Sequence, residues 1–368
     1  MMLKRILGFL LVVCTAGCVE PYEFVIENNE SSLVIEAFVS DKSFRETVDY
    51  PSDGRYFAVK LSTTSDVTNV RSLPVKAAQV QLITDRDDVW QYTESRDAPG
   101  YYFLLNDEFK GEVGVAYKLS VKLQDESAYE SDWESMPTVT SPDMGQISFR
   151  EVETQRYVVE SNAEVLKTIK GIWTDIEVPE NTTTEPLYYK WSFTPHWIYV
   201  APLASSISAG HTCWATNPLL IQNYTLLSDR TGKYNKDLFF LESARNPKVY
   251  VKYSSLIVQH IMTEDFYFFW KEMQEQNEGG PIFDKPPFNL PTNFHSLIGD
   301  RQVFGYFGVV QEQAKRWYFS IKDLSYHVED TALKDCTVPF QEIAPECRDC
   351  SLYSFGIATR VKPGWWED

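Results

Sequence analysis

Six cysteines and five histidines are the residues of this 368-residue chain whose types and spacing could carry chemistry. Four cysteines, Cys213, Cys336, Cys347 and Cys350, lie far beyond the N-terminal segment, and two chemistries fit them. An even number of thiols in an oxidising compartment forms disulfides. Three pairings are open; in one of them Cys336–Cys350 pins the C-terminal segment while Cys213 reaches Cys347. The alternative is zinc: Cys347-Arg348-Asp349-Cys350 has knuckle spacing, and Cys336 with Cys213 or His211 would complete four ligands. A second C-x-x-C is missing, so disulfides are expected, with zinc at Cys336, Cys347 and Cys350 as the weaker use. A redox C-x-x-C would need a βαβ setting, and none surrounds it.

The histidines, His196, His211, His260, His295 and His327, form no H-E-x-x-H pair, and the chain has no G-x-S-x-G elbow, P-loop or dinucleotide fingerprint. Glu264 and Asp265 read as first-turn residues of a helix, where the dipole favours acids. Asp85-Arg86-Asp87-Asp88 lacks the loop glycine and distal glutamate of a calcium loop and reads as a hairpin turn. A glycosidase would have to draw its two carboxylates from 52 candidates. No catalytic residue, cofactor or metal is expected, and the chain reads as a non-enzyme. Aromatic residues make up 14% of the chain. Trp191, Trp197, Tyr199, Trp317 and Tyr318 could stack on sugar rings, but their strand spacing favours core burial. The excess of 52 acidic over 34 basic residues, a net charge of −18, argues against a nucleic-acid partner.

The first eighteen residues place the chain. Lys4 and Arg5 precede the apolar run Ile6–Val13, which is too short to span a bilayer, and Thr15-Ala16-Gly17 lead to Cys18. This order resembles a bacterial lipobox, with cleavage after residue 17 and lipidation of Cys18; Thr15 stands where Leu is usual. Loss of Lys4 and Arg5 leaves 32 basic against 52 acidic residues, or −20. Acyl chains rather than surface charge would then hold the chain at a membrane. Residues 18–32 read as an acidic tether.

The elements that must position everything else are mainly strands. Leu33/Ile35/Ala37/Val39, Phe57/Val59/Leu61, Ala78/Val80/Leu82 and Tyr117/Leu119/Val121/Leu123 alternate with polar residues, the period of half-buried strands. Turn residues such as Pro51-Ser52-Asp53-Gly54 and Pro99-Gly100 separate them. The expected fold is mainly β: an antiparallel sandwich of immunoglobulin or transthyretin-like type over 33–135, a linker at 136–145, and a larger β-rich domain over 146–368. That second domain should carry strands at 188–193, 249–258, 304–310 and 317–321. It should also carry one amphipathic helix near 263–278, capped by Thr263, with Phe266, Phe269, Trp270 and Met273 as a stripe packed on the sheet.

The order of several segments resembles a known family. They are Leu33-Val34-Ile35-Glu36, Pro99-Gly100-Tyr101-Tyr102, Gly111-Glu112-Val113-Gly114 and Ala128-Tyr129-Glu130-Ser131. Cys213-Trp214, Phe283-Asp284-Lys285-Pro286-Pro287, Val303-Phe304-Gly305-Tyr306-Phe307 and Cys347-Arg348-Asp349-Cys350 follow. Together they resemble the Bacteroidota lipoprotein family called domain of unknown function 4249; Thr292-Asn293 stands where Gly-Asn is usual. The resemblance implies an outer-membrane, surface-exposed lipoprotein that accompanies a TonB-dependent, SusC-like receptor, and it carries no catalytic residues. The expected role is a non-enzymatic accessory or binding subunit; a glycan-binding lipoprotein and a hydrolase are the alternatives. Asp330-Thr331-Ala332 matches the short O-glycosylation motif of the same bacteria, making Thr331 a modification candidate.

Overall fold

The computed structural model describes residues 32–64, 73–139, 142–160, 163–217, 224–277, 291–298, 302–338 and 342–367. The signal segment 1–17, Cys18 and all of the tether except Ser32 lie outside them, as does the 283–287 segment. The alternating segments are strands with the parity the sequence sets. Ile35, Val59, Leu61, Val80, Leu82, Leu119 and Val121 are fully buried, because successive side chains leave a pleated strand on opposite faces.

The chain begins with β1 (Leu33–Ser40), α1 (Phe44–Val48), β2 (Phe57–Thr63), β3 (Leu73–Pro74), β4 (Gln79–Thr84), β5 (Val89–Gln91), β6 (Thr93–Glu94), β7 (Tyr101–Leu104), β8 (Ala116–Lys122), β9 (Ala128–Ser131) and β10 (Glu134–Ser135). Next come β11 (Ile147–Glu160), β12 (Ala163–Val178), β13 (Leu187–Val200), β14 (Thr212–Thr216), β15 (Tyr224–Asp229) and β16 (Tyr234–Glu242). The rest is α2 (Pro247–Tyr250), β17 (Tyr253–Met262), α3 (Glu264–Asn277), β18 (Phe294–Ile298), β19 (Val303–Phe319), α4 (Ala332–Asp335) and β20 (Ile357–Thr359). An eleven-stranded sheet runs β20-β14-β13-β17-β19-β1-β2-β7-β6, with β15 on β13 and β3 on β2. A six-stranded sheet runs β18-β9-β8-β4-β5 with β10 on β8, and β11-β12-β16 form a third.

The sandwich forms, but residues 33–135 do not complete it. β18 pairs with β9 and the first half of β19 pairs in parallel with β1, from Leu33↔Val303 to Ser40↔Val310. Residues beyond 290 therefore supply a strand to each of its sheets, and Phe294, Phe307 and Val309 enter its core beside Leu61, Leu82 and Tyr129. The second half of β19 pairs with β17. One 17-residue strand is thus the seam between the two β regions.

The expected linker 136–145 is stitched to that seam. Gln311 Nε2 donates to the carbonyls of Pro137 and Val139, both at 2.7 Å, and Lys315 Nζ donates to that of Gly145 at 3.0 Å. Met136 and Met144 are buried. Residues 32–368 form one compact unit, so the division at 136–145 does not separate two self-contained halves. The cause is register: which distant strands pair is set by the faces each must cover, and no local period encodes it.

The expected helix is α3. Phe266 and Phe269 pack on Tyr306 and Val310 of β19, with Trp270 and Met273 alongside, so its stripe faces the sheet. Thr263 does not cap it through its side chain; its hydroxyl has no hydrogen-bond partner among the described residues. The strand expected over 249–258 begins only at Tyr253, since Pro247 starts the helical turn α2 under an Asn246 cap. Among the described residues no helix is long and apolar enough to cross a membrane.

Candidate functional site

On β13 the residues Lys190, Ser192, Thr194 and His196 alternate with the buried Tyr189, Trp191, Phe193 and Trp197. A polar face of this kind ordinarily meets water. Here residues 44–56 fold across it as a strap. Ser43 starts the strap's helix with a capping box: its hydroxyl accepts from Glu46 N–H at 3.2 Å, and Glu46 Oε2 accepts from Ser43 N–H at 2.9 Å. Gly54 then turns the chain back at φ +79°, where a Cβ would strike the Phe44 ring. Three contacts hold the strap down: Tyr50 hydroxyl donates to the Glu312 carbonyl at 3.2 Å, Arg316 Nε donates to the Pro51 carbonyl, and Trp365 Nε1 donates to Asp53 Oδ1 at 2.8 Å. Beneath it lies a cavity of about 450 Å³, floored by Leu256 and Val258 of β17, a volume within the range of small-molecule sites.

The cavity concentrates charge. Glu312, 1% exposed, accepts from Arg55 Nη2 at 2.6 Å and lies 3.2 Å from His260 Nε2. Burial pushes its carboxyl up, but the Arg55 charge and the His260 hydrogen bond outweigh that and hold it at about 2. Burial lowers His260, with Glu312 opposing and Lys190 and Arg55 reinforcing. The Arg55 guanidinium sits 4.9 Å from the Phe38 ring and 5.0 Å from Phe57, and its buried Nη1 has no hydrogen-bond acceptor among the described residues.

Two further cations have no carboxylate partner among the described residues. Lys190 Nζ stands 3.3 Å from the centroid of Trp270, on α3; burial brings its ammonium down to about 7 against the weak pull of Glu36, which pairs with Lys60 at 2.7 Å. Arg316 stacks on Trp365 at 3.5 Å and donates from Nη1 to Ser254 at 3.2 Å. Burial lowers it to about 10, with Tyr318 and Asp53 opposing. Burial and the neighbouring Arg316 charge bring His196 down to about 4, so it is neutral at pH 7.

Apart from His196 and His260, the residues singled out in the sequence lie elsewhere. Cys213 bonds Cys350 and Cys336 bonds Cys347, a pairing that ties the C-terminal segment to β14, next to the edge strand β20. All four sulfurs are spent in these bonds, so Cys336, Cys347 and Cys350 have no thiolates for zinc. Thr331 is 8% exposed, and its hydroxyl donates to Asp335 Oδ2 at 2.6 Å and meets the Tyr250 hydroxyl at 3.0 Å; the folded chain does not present it for glycosylation. Trp191, Trp197 and Tyr199 are core residues. Trp317 packs among Phe149, Phe239 and Phe319, and Tyr318 against Trp366, so these five offer no common sugar platform. Asp85-Arg86-Asp87-Asp88 is the β4–β5 hairpin turn, with Asp87 at positive φ. Of the five histidines, only His196 and His260 line the cavity. His260 Nδ1 carries no hydrogen-bonded hydroxyl among the described residues, so the His260–Glu312 pair does not extend to a nucleophile.

Fold and cavity together define a mainly β chain with a strapped, cation-bearing cleft on the face of its largest sheet. The chain belongs to the family described as Domain of unknown function (DUF4249), whose model matches residues 19–316. That match includes the strap and the sequence through Arg316. No curated protein and no solved structure matches the chain.

Proposed function

We propose that the chain is an outer-membrane lipoprotein of Bacteroidota type, anchored through Cys18 and exposed at the cell surface. It acts there as a non-enzymatic binding or accessory subunit of a TonB-dependent, SusC-like transport system. The observation that carries the binding role is the strapped cavity: it has the volume of a ligand site, and Arg316 and Lys190 border it without carboxylate ion pairs among the described residues. Glu312, the acid best placed to serve a histidine base, is instead tied up by Arg55, which supports holding over turnover. Export is supported by the basic and apolar start of the chain, and by two disulfides of the kind an oxidising compartment sustains. The aromatic residues that favoured a glycan platform are packed inside, so the accessory reading stands ahead of it.

The test is isolation of the lipid-anchored chain from outer membranes in mild detergent, with identification of what accompanies it. A TonB-dependent transporter is expected with the wild-type chain and not with Cys18→Ala. Recovery of the anchored chain with no transporter would count heavily against the accessory role. Palmitate-analogue label persisting in Cys18→Ala would sink the anchor.

A further inference from the structure

We infer that the strapped cavity binds a small organic anion, a carboxylate or phosphate, through Arg316 and Lys190. The inference rests on the binding reading above and adds the ligand's chemical class. In a chain of net charge −18, two cations lining a covered cleft with no carboxylate ion pair among the described residues run against the overall composition. Arg55 is neutralised locally by Glu312 at 2.6 Å. Asp53 lines the same cavity, but its Oδ1 is engaged by the Trp365 indole. Arg316, and Lys190 when protonated, therefore form no ion pair with a carboxylate among the described residues.

Their surroundings suit an anion with an organic body. Arg316 is held flat on Trp365 with Nε and Nη1 already bonded, which leaves Nη2 without a partner among the described residues and fixes its direction. A guanidinium so oriented loses little rotamer entropy when an anion arrives. Lys190 aligns with His260 and Glu312 across the sheet, and Arg316 aligns with Leu256 and Thr194. The two cations are thus four strand positions apart, roughly 13 Å along the strand direction. Leu256 and Val258 floor the space between them, and Ser192 and Thr194 offer hydroxyls. The neutral His196 beside Arg316 can accept or donate a hydrogen bond without adding charge.

Calorimetric titration of the purified mature lipoprotein in detergent tests this, with inorganic phosphate, succinate and the neutral succinamide as probes. We expect succinate or phosphate to bind and succinamide not to; which anion binds distinguishes the carboxylate from the phosphate form of the ligand. Lys190→Met and Arg316→Gln should each weaken binding about tenfold or more, and Arg316→Lys should retain part of it. If Arg316→Gln does not fold, Lys190→Met decides, since it removes a buried charge and should not harm the fold. Failure of both anions to bind at about 10 mM, equal binding of succinamide, or binding indifferent to the substitutions overturns the proposal. Lost anion binding with the transporter still recovered sinks the ligand class alone; anion binding without a transporter sinks the accessory role alone.

Discussion

Nη2 of Arg55 lies 2.6 Å from Oε2 of Glu312, 257 positions away in the chain, and this contact joins the strap to the seam strand β19. Removing one member of a buried pair leaves the other uncompensated, which costs about 3–5 kcal/mol. Glu312→Gln should destabilise the chain by about 3 kcal/mol, with part of the loss recovered in the double variant Arg55→Met/Glu312→Gln. Urea unfolding of the four proteins measures both, and a double-variant loss equal to the sum of the two single losses would show the pair to be uncoupled. The same carboxyl sets an acid limit. It titrates near 4.5 unfolded and near 2 folded, so its contribution is complete above 4.5 and fades as pH falls toward 2.

Lys190 works in the opposite direction. Its folded ammonium loses its proton near 7, against 10.5 for the reference side chain, so the unfolded chain binds that proton more readily. The penalty is full below 7, shrinks between 7 and 10.5, and is gone above. Lys190→Met should therefore stabilise the chain at pH 6 by about 2 kcal/mol, a figure discounted from the full conversion because the side chain keeps some exposure. The gain should be near zero at pH 10.5; melting curves at the two pH values would refute this if the gain were equal.

The disulfides should differ in weight. Cys213–Cys350 closes 137 residues and Cys336–Cys347 closes 11. In the chain-entropy account these loops correspond to about 5 and about 3 kcal/mol. Cys213→Ala/Cys350→Ala should accordingly lower the melting temperature more than Cys336→Ala/Cys347→Ala, and the reverse order would contradict the account.

Gly305 is needed at the seam. It sits at φ +105°, and a Cβ there would lie 1.8 Å from the Ile35 carbonyl oxygen, a backbone atom that cannot step aside. Gly305→Ala should part β1 from β19 locally and cost about 3 kcal/mol or more. Hydrogen exchange should then show faster opening over 33–40 than at β11, and unchanged protection at β1 would argue against the seam.

Strand parity was legible because one face of each early strand is buried and the other is not, as Phe57, Val59 and Leu61 against Ala58 and Lys60 show. The seam was not legible. Residues 305–312 of β19 are buried without interruption, so the alternation that marks a half-buried strand disappears where two β regions meet. The family segment Val303–Phe307 gains its meaning only in three dimensions. Tyr306 hydroxyl donates to Glu134 at 3.0 Å, and the Asn293 side chain bonds both the N–H and the carbonyl of Phe307 at 3.0 and 2.8 Å. The cavity was hidden for a related reason: Lys190, Ser192 and His196 read as a solvated face until the strap covers them. The signal available was that β17 and β19 also set charged or titratable residues, His260, Glu312 and Arg316, in strands otherwise rich in buried residues.

The central claim is that the strapped cavity is a ligand site for an anion. A crystal structure of the mature chain grown with succinate or phosphate tests it most directly. The account predicts density for the anion inside the cavity, within hydrogen-bonding distance of Arg316 Nη2 or Lys190 Nζ, and its absence in Arg316→Gln. A cavity holding only water, with the anion bound elsewhere on the chain, would contradict it.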